Sequence, residues 1–170
     1  MGARAAYDGS TAQQGITMNR SMTAGDVCSR QVVVASKDMP LGEAARVMRE
    51  RHVGSLVVVE ETGAGRVVVG MLTDRDIVTA VVAKDVNAAA LRVDDVMTRD
   101  IVSARESDSV LDVLAAMRRR AVRRVPVVGP KDELVGVVAA DDVLGFIADE
   151  LRTLVQALVA QPGREQRARP

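Results

Sequence analysis

The sequence predicts an α+β fold in which two tandem β-α-β-β-α repeats pack sheet to sheet and an extended helix follows. The first observation is self-similarity, because a shift of 69 positions places Asp26-Val27-Cys28 on Asp95-Val96-Met97. Farther along the repeat the shift becomes 66, so that Asp76 falls on Asp142. The second observation is that the apolar patterns of the two copies follow the same order. Such internal repetition indicates that one structural unit is used twice.

Each repeat begins with a short extended segment, at residues 32–35 and 101–104, and continues with an amphipathic helix. In both helices apolar residues recur at i, i+3, i+4 and i+7, the spacing that lines one helix face. These residues are Leu41, Ala44, Ala45 and Met48 in the first copy and Val110, Val113, Leu114 and Met117 in the second.

Two valine-rich strands follow, and a second helix closes the repeat. The strands are predicted at 55–59 with 67–72 and at 125–128 with 134–138. Glycine and proline between the members of each pair indicate hairpins. The second helix starts near Thr73 or Asp141. A unit of about 60 residues is too small to bury both faces of its own sheet, so we expect the two copies to fold as one unit.

These patterns divide the chain into a flexible N-terminal segment (1–21), a first repeat (22–83), a second repeat (84–150) and a C-terminal helix extension with a frayed tail (151–170). The last helix carries an apolar stripe at helical spacing, which predicts burial against its own domain or a second subunit. The stripe consists of Leu144, Ile147, Leu151, Leu154, Val155 and Leu158.

Composition excludes several classes of function. Twenty-three basic residues balance twenty-three acidic ones, and Tyr7 and Phe146 are the only aromatics, so binding to nucleic acid is disfavoured. No apolar run approaches the roughly 20 residues of a bilayer span, and no signal peptide is evident, so we expect a cytoplasmic protein without membrane contact. Because Cys28 and His52 are each unique, a disulfide framework and a Cys/His zinc site within one chain are ruled out. We interpret His52 as structural and Cys28 as a small apolar filler matching Met97.

Together with the repeat, two motifs resemble the CBS domain: G-h-h-T-x-x-D at residues 70–76 and R-R-V-P-V at 123–127. The resemblance covers roughly residues 22–150. It implies a CBS pair, or Bateman module, with pseudo-twofold symmetry and two clefts between the repeats. Such pairs often bind AMP, ADP, ATP or S-adenosylmethionine and commonly form homodimers. The chain resembles the stand-alone CBS-pair proteins of bacteria.

Thr73 and Asp76 allow two interpretations. Thr-x-x-Asp before an apolar run is close to a capping box, which needs no ligand. Alternatively, Asp76 accepts both hydroxyls of a ribose while Thr73 and the helix start bind phosphate. In the second copy Ala139 replaces the threonine and Asp142 is kept, which favours ribose binding unless Asp141 has become the helix cap. We therefore expect a better site in the first copy than in the second.

Arginines provide candidate phosphate ligands. Arg123 and Arg124 match the basic pair that contacts phosphates in nucleotide-binding members of the family, whereas the first copy has Gly54 and Ser55 there. Arg118 to Arg120 are explained equally well as complements to a helix dipole. We expect one site assembled from both repeats.

The resemblance also places apolar residues beside an adenine. Val34, Val102 and Ser103 stand at the family's adenine positions, and Pro126 of the second motif completes the candidate set. Valines at these positions also fill a core, so the two interpretations remain open.

The leading functional hypothesis is a non-catalytic regulatory sensor that needs no cofactor and binds an adenosine-containing ligand. The alternative is a ligand-free, dimeric interaction or stress-response scaffold whose last helix recruits a protein partner. An enzyme is a weaker hypothesis, because no nucleophile elbow, Walker loop or HExxH motif is present.

Overall fold

A computed structural model describes residues 22–63 and 65–159; the flexible segment predicted at 1–21 and the predicted frayed tail lie outside this range. The helices are α1 (Ala24–Val27), α2 (Leu41–Arg51), α3 (Asp74–Ala80), α4 (Val93–Val96), α5 (Val110–Arg120) and α6 (Ala140–Val159). The strands are β1 (Val34–Ser36), β2 (Ser55–Thr62), β3 (Gly65–Thr73), β4 (Ala104–Arg105), β5 (Arg124–Val128) and β6 (Leu134–Ala139).

The strands form two three-stranded sheets with the same topology, β1-β2-β3 and β4-β5-β6. In each sheet the first strand runs parallel to the second, and the second and third form an antiparallel hairpin. Both hairpins contain a register shift at equivalent places, between Val58 and Val59 and between Val127 and Val128. The two predicted hairpins are confirmed. The first strand of each sheet is shorter than the extended segment predicted for it.

Each sheet is buried on both faces. Leu56 and Val58 point into a core with the helices of the first repeat, while Val57 is 2% exposed and lies outside that cluster. Because neighbouring strand residues point to opposite faces, Val57 belongs to the layer between the two sheets. The sheet-to-sheet α+β fold is confirmed. All but one of the predicted helix positions in each copy are fully buried, namely Leu41, Ala44, Met48, Val110, Val113 and Met117.

The short helix near the start of each repeat packs against the other repeat. Ala24 of α1 lies in the core of the second repeat, and Val93 of α4 lies in the core of the first. The backbones of the two repeats are also hydrogen-bonded to each other: the N–H of Met71 donates to Thr98 at 3.0 Å, and the N–H of Thr98 donates to Met71 at 2.8 Å. Ser29 and Val137 form the equivalent pair. The two repeats are therefore interlocked by a pseudo-twofold exchange of their leading segments.

Helices α2 and α5 end in the same way. Their C-terminal caps, His52 and Ala121, both lie in the left-handed region at φ 53°. Neither residue is glycine, so each accepts a conformation that side chains disfavour. His52 is exposed at this position, where its backbone ends α2.

Helix α6 differs from the expectation for its apolar stripe. Val143 is its one fully buried residue, and every residue from 144 to 159 is exposed. Burial against its own domain is therefore the wrong alternative for the described chain. Among the described residues, no helix is both long enough and apolar enough to cross a bilayer.

Candidate functional site

A cleft of about 720 Å³ lies between the two repeats. Its first wall is the end of the β2–β3 hairpin together with the start of α3. Its second wall comes from the segment before β4 and from the turn between α5 and β5. This volume lies within the range of small-molecule sites. The residues that line it include Thr73 and Asp76 from the first repeat and Val102, Arg123 and Arg124 from the second.

On the first wall, Thr73 and Asp76 form a complete capping box. The Thr73 hydroxyl and its backbone N–H both donate to Oδ2 of Asp76, at 2.7 and 2.9 Å. The Asp76 N–H in turn donates to the Thr73 hydroxyl at 3.1 Å. Within the described residues, Oδ1 of Asp76 accepts no hydrogen bond. The capping interpretation is thus correct, and the second carboxylate oxygen of Asp76 is not used by the cap.

On the second wall, the arginines have different partners. Arg123 donates to Asp141 of α6 at 2.7 Å, and Arg120 donates to Asp100 at 2.6 Å. In residues 22–63 and 65–159, no ion pair engages the side chain of Arg124 or that of Arg75 on the opposite wall. Two paired and two unpaired guanidiniums therefore border one cleft, beside the carboxylates of Asp74, Asp76 and Asp100. Four positive side chains against three negative ones favour an anionic group over a cationic one.

An apolar surface separates the polar parts of the two walls. Met71 contributes from β3, and Ile101 and Val102 contribute from the segment before β4. Met71 is held there by its backbone bridge to Thr98. A flat heterocycle can lie on these side chains, because aliphatic groups and a thioether remove its faces from water without a specific partner.

Four of the predicted residues do not line this cleft. Pro126 is buried within β5 opposite Val137, and Val34 lies in β1 opposite Val57. Ser103 and Asp142 are exposed and do not line the cleft. The structure thus brings five of the nine candidates together.

The alternative that Asp141 caps α6 is wrong. The helix begins at Ala140, so Asp141 lies inside its first turn, where its carboxylate pairs with Arg123. Asp142 shares that turn, which leaves it the favourable position of an acidic residue near a helix N-terminus.

Four charged residues of the cleft were not among the nine candidates: Asp74, Arg75, Asp100 and Arg120. Arg75 lies inside the first motif, but the spacing of Thr73 and Asp76 does not predict a role for the residues between them. For Arg120 the sequence leaves a phosphate contact and the dipole of α5 open; in the structure its guanidinium donates to Asp100, twenty residues earlier in the chain. No local pattern reveals that pairing.

Cys28 lies outside the cleft, half-buried against the second core. Burial raises the pKa of its thiol; nearby Arg30 opposes this shift and Glu106 adds to it. A thiol whose pKa is raised is a poor nucleophile at neutral pH, which agrees with its interpretation as a filler. Within the described residues, no three His, Cys, Asp or Glu side chains are grouped so as to hold a metal ion.

These features define a CBS pair, and the comparison with protein families agrees. The CBS domain model matches residues 24–83 and 93–149, so the chain belongs to the CBS domain family. The CBS domain-containing protein YhcV of Bacillus subtilis is 35% identical over 117 residues, which cover 69% of this chain and 79% of YhcV. The uncharacterized protein MK0525 of Methanopyrus kandleri is 31% identical over 125 residues, 74% of this chain; the match spans 62% of MK0525, less than two thirds of its length.

A solved structure shares the fold and holds ligands. The CBS domain pair of protein MJ0100, in complex with 5′-methylthioadenosine and S-adenosyl-L-methionine, superimposes with a TM-score of 0.66. It is 26% identical, and the superposition covers 75% of this chain and 97% of that one.

Proposed function

We propose that this protein is a non-catalytic regulatory module that binds one adenosine-containing ligand, such as AMP, ADP, ATP or S-adenosylmethionine, in the cleft between its repeats. The observation that carries the proposal is the meeting of Thr73 and Asp76 with Arg123 and Arg124 in one cleft of about 720 Å³. The adenosine ligands of the related MJ0100 pair support the chemical class.

Each part of such a ligand has a partner in the cleft. Oδ1 of Asp76 accepts a ribose hydroxyl without disturbing the cap of α3, whereas contact with both hydroxyls requires Oδ2 to exchange its bond from Thr73. The released Thr73 hydroxyl then becomes a donor for a phosphate oxygen. Ligand binding thereby alters the N-terminus of α3, which provides a local route from an occupied cleft to a changed surface.

The test is calorimetric titration and thermal unfolding with AMP, ADP, ATP, S-adenosylmethionine and methylthioadenosine. A ligand that binds only the folded chain raises its melting temperature by mass action. Asp76→Asn should abolish that increase. Asp95→Asn is the matched control, because Asp95 accepts the backbone N–H of Arg92 at 2.8 Å in the equivalent cap of α4, outside the cleft. If none of the five compounds shifts the wild-type melting temperature, the proposal is wrong.

The second candidate function is a scaffold that acts through protein contacts alone. The exposed apolar stripe of α6 favours it. A wild-type chain that associates but responds to none of the five ligands would support this candidate over the first.

A further inference from the structure

Both the side chain and the backbone of Arg123 are bonded to the first turn of α6. The guanidinium donates through Nη2 to both carboxylate oxygens of Asp141, at 2.7 Å to Oδ1 and 3.1 Å to Oδ2. The backbone carbonyl of Arg123 accepts the N–H of Ala140 at 2.9 Å. Arg123 lines the cleft, whereas Asp141 does not. The carboxylate of Asp141 is therefore connected to the cleft through Arg123.

The nitrogen that Asp141 engages is the one that a phosphate needs. A guanidinium binds phosphate best through two parallel N–H···O bonds from one edge of its rigid fork. The two edges that provide such a pair are Nε with Nη2 and Nη1 with Nη2, so both include Nη2. Within the described residues, Nε and Nη1 of Arg123 donate no hydrogen bond. A bidentate contact between Arg123 and a phosphate therefore requires that the Asp141 carboxylate be displaced.

The first repeat shows that the fold does not require this ion pair. Gly54 and Arg75 stand there at the positions of Arg123 and Asp141. The backbone bond is nevertheless kept, since the N–H of Asp74 donates to the carbonyl of Gly54 at 3.1 Å. In the second repeat the exposed fractions of the Arg123 and Asp141 side chains are 74% and 62%, and ion pairs so exposed contribute little to stability. Stability is thus a weak reason for the pairing.

We propose that Asp141 is a specificity-determining residue of the cleft. Its carboxylate competes with the phosphate of a ligand for Arg123, and it thereby lowers the preference of the cleft for phosphate-bearing adenosine compounds over phosphate-free ones. The inference rests on the proposed function, because it requires that the cleft bind an adenosine compound. Phosphate can win the competition, since an exposed ion pair is weak and a bidentate contact to phosphate is strong. The displaced carboxylate belongs to α6, so phosphate binding changes the contacts of that helix.

The other ion pair of the cleft separates these effects less well. Arg120 donates to Asp100 at 2.6 Å, but Asp100 itself lines the cleft. Removal of its charge would therefore also remove a direct repulsion of an anionic ligand. Asp141 does not line the cleft, so its substitution reports on the competition for Arg123.

The test is calorimetric titration of the full chain with ATP and with methylthioadenosine, which has no phosphate. Asp141→Asn should bind ATP about two- to fivefold more tightly than wild type, the range of an exposed ion pair, and methylthioadenosine equally tightly. Asp112→Asn is the matched control, because Asp112 is also exposed in the first turn of a helix, α5, outside the cleft. Its affinities should equal those of wild type. Circular dichroism and the melting transition establish that each variant is folded.

A double variant separates competition for Arg123 from a general change of charge. In an Arg123→Gln background, Asp141→Asn should leave the affinity for ATP unchanged. Three results would overturn the inference: no gain in ATP affinity for Asp141→Asn, an equal gain for methylthioadenosine, or a gain that persists without Arg123.

The same titrations distinguish this inference from the proposed function. If wild type binds ATP and Asp76→Asn abolishes that binding, any of the three results leaves the proposed function intact. A wild-type chain that binds methylthioadenosine but not ATP overturns the inference alone. A wild-type chain that binds none of the five compounds overturns both.

Discussion

Thr73 and Asp76 satisfy each other at the start of α3 through three hydrogen bonds of 2.7 to 3.1 Å. The same two residues border the cleft between the repeats. The cap holds Asp76 in place through Oδ2, so the ligand contact proposed above and the capping of α3 are compatible uses of one pair.

Thr73→Ala should lower the free energy of unfolding by about 1 kcal/mol in the absence of ligand, because it removes the hydroxyl that accepts the N–H of Asp76. Thr73→Ser keeps that hydroxyl and should retain most of the stability. Urea unfolding followed by circular dichroism measures both variants. Equal stability of Thr73→Ala and wild type would contradict the prediction, because it would show that water replaces the Thr73 hydroxyl without loss of stability.

Arg124→Gln should weaken the binding of ATP by about tenfold or more, because it removes a charge-assisted contact to phosphate worth about 1.5 to 3 kcal/mol. Binding of methylthioadenosine, which has no phosphate, should change little. Calorimetric titration of both ligands gives the comparison. Arg118→Gln is the control, since Arg118 is exposed on α5 outside the cleft. An equal loss for both ligands would contradict a phosphate role for Arg124.

The periodic parts of the fold could be predicted because they depend on which face of an element is buried. Leu41, Ala44 and Met48 repeat at helical spacing, and they line the core as expected. A site shared by both repeats could be predicted from a difference between the two copies. Gly54 and Ser55 in the first copy occupy the positions that Arg123 and Arg124 occupy in the second. Both sets line the same cleft.

The exchange of leading segments could not be predicted, because α1 and α4 are four residues long and show no period. Each is held by burial of one or two side chains in the opposite core and by an isolated backbone bridge. The packing of α6 could not be predicted either. An apolar stripe indicates that one face of a helix packs against something, but it does not identify what that is.

Cys28 should react with iodoacetamide more slowly than an unstructured thiol at pH 8, because burial raises its pKa and leaves less thiolate. The same chain unfolded in urea provides the reference rate. The pKa of the thiol is higher in the folded chain than in the unfolded one, where it is about 8.5. The contribution of Cys28 to stability is therefore fully present below the pKa of the unfolded thiol, and it is lost as the pH rises through the pKa of the folded thiol.

Wild-type protein should accordingly lose more stability than Cys28→Ala between pH 8 and about 10, a range that brackets the ordinary thiol pKa. Thermal unfolding across that range measures the difference. A Cys28 that is alkylated in the native chain as fast as in urea would contradict a raised pKa.

Gly70→Ala should destabilise the protein by about 1 to 3 kcal/mol, because the leading segment of the second repeat crosses directly over this position. A Cβ at residue 70 would lie 2.8 Å from the carbonyl oxygen of Thr98, so the backbone of one repeat has to move. Gly136→Ala should act likewise, since its Cβ would meet the carbonyl oxygen of Ser29 at the same distance. Gly42→Ala is the control: a Cβ there meets nothing within 4 Å, and alanine in α2 should stabilise by up to about 1 kcal/mol. Denaturant unfolding that ranks Gly70→Ala with Gly42→Ala would rule out the interlocked arrangement of the two repeats.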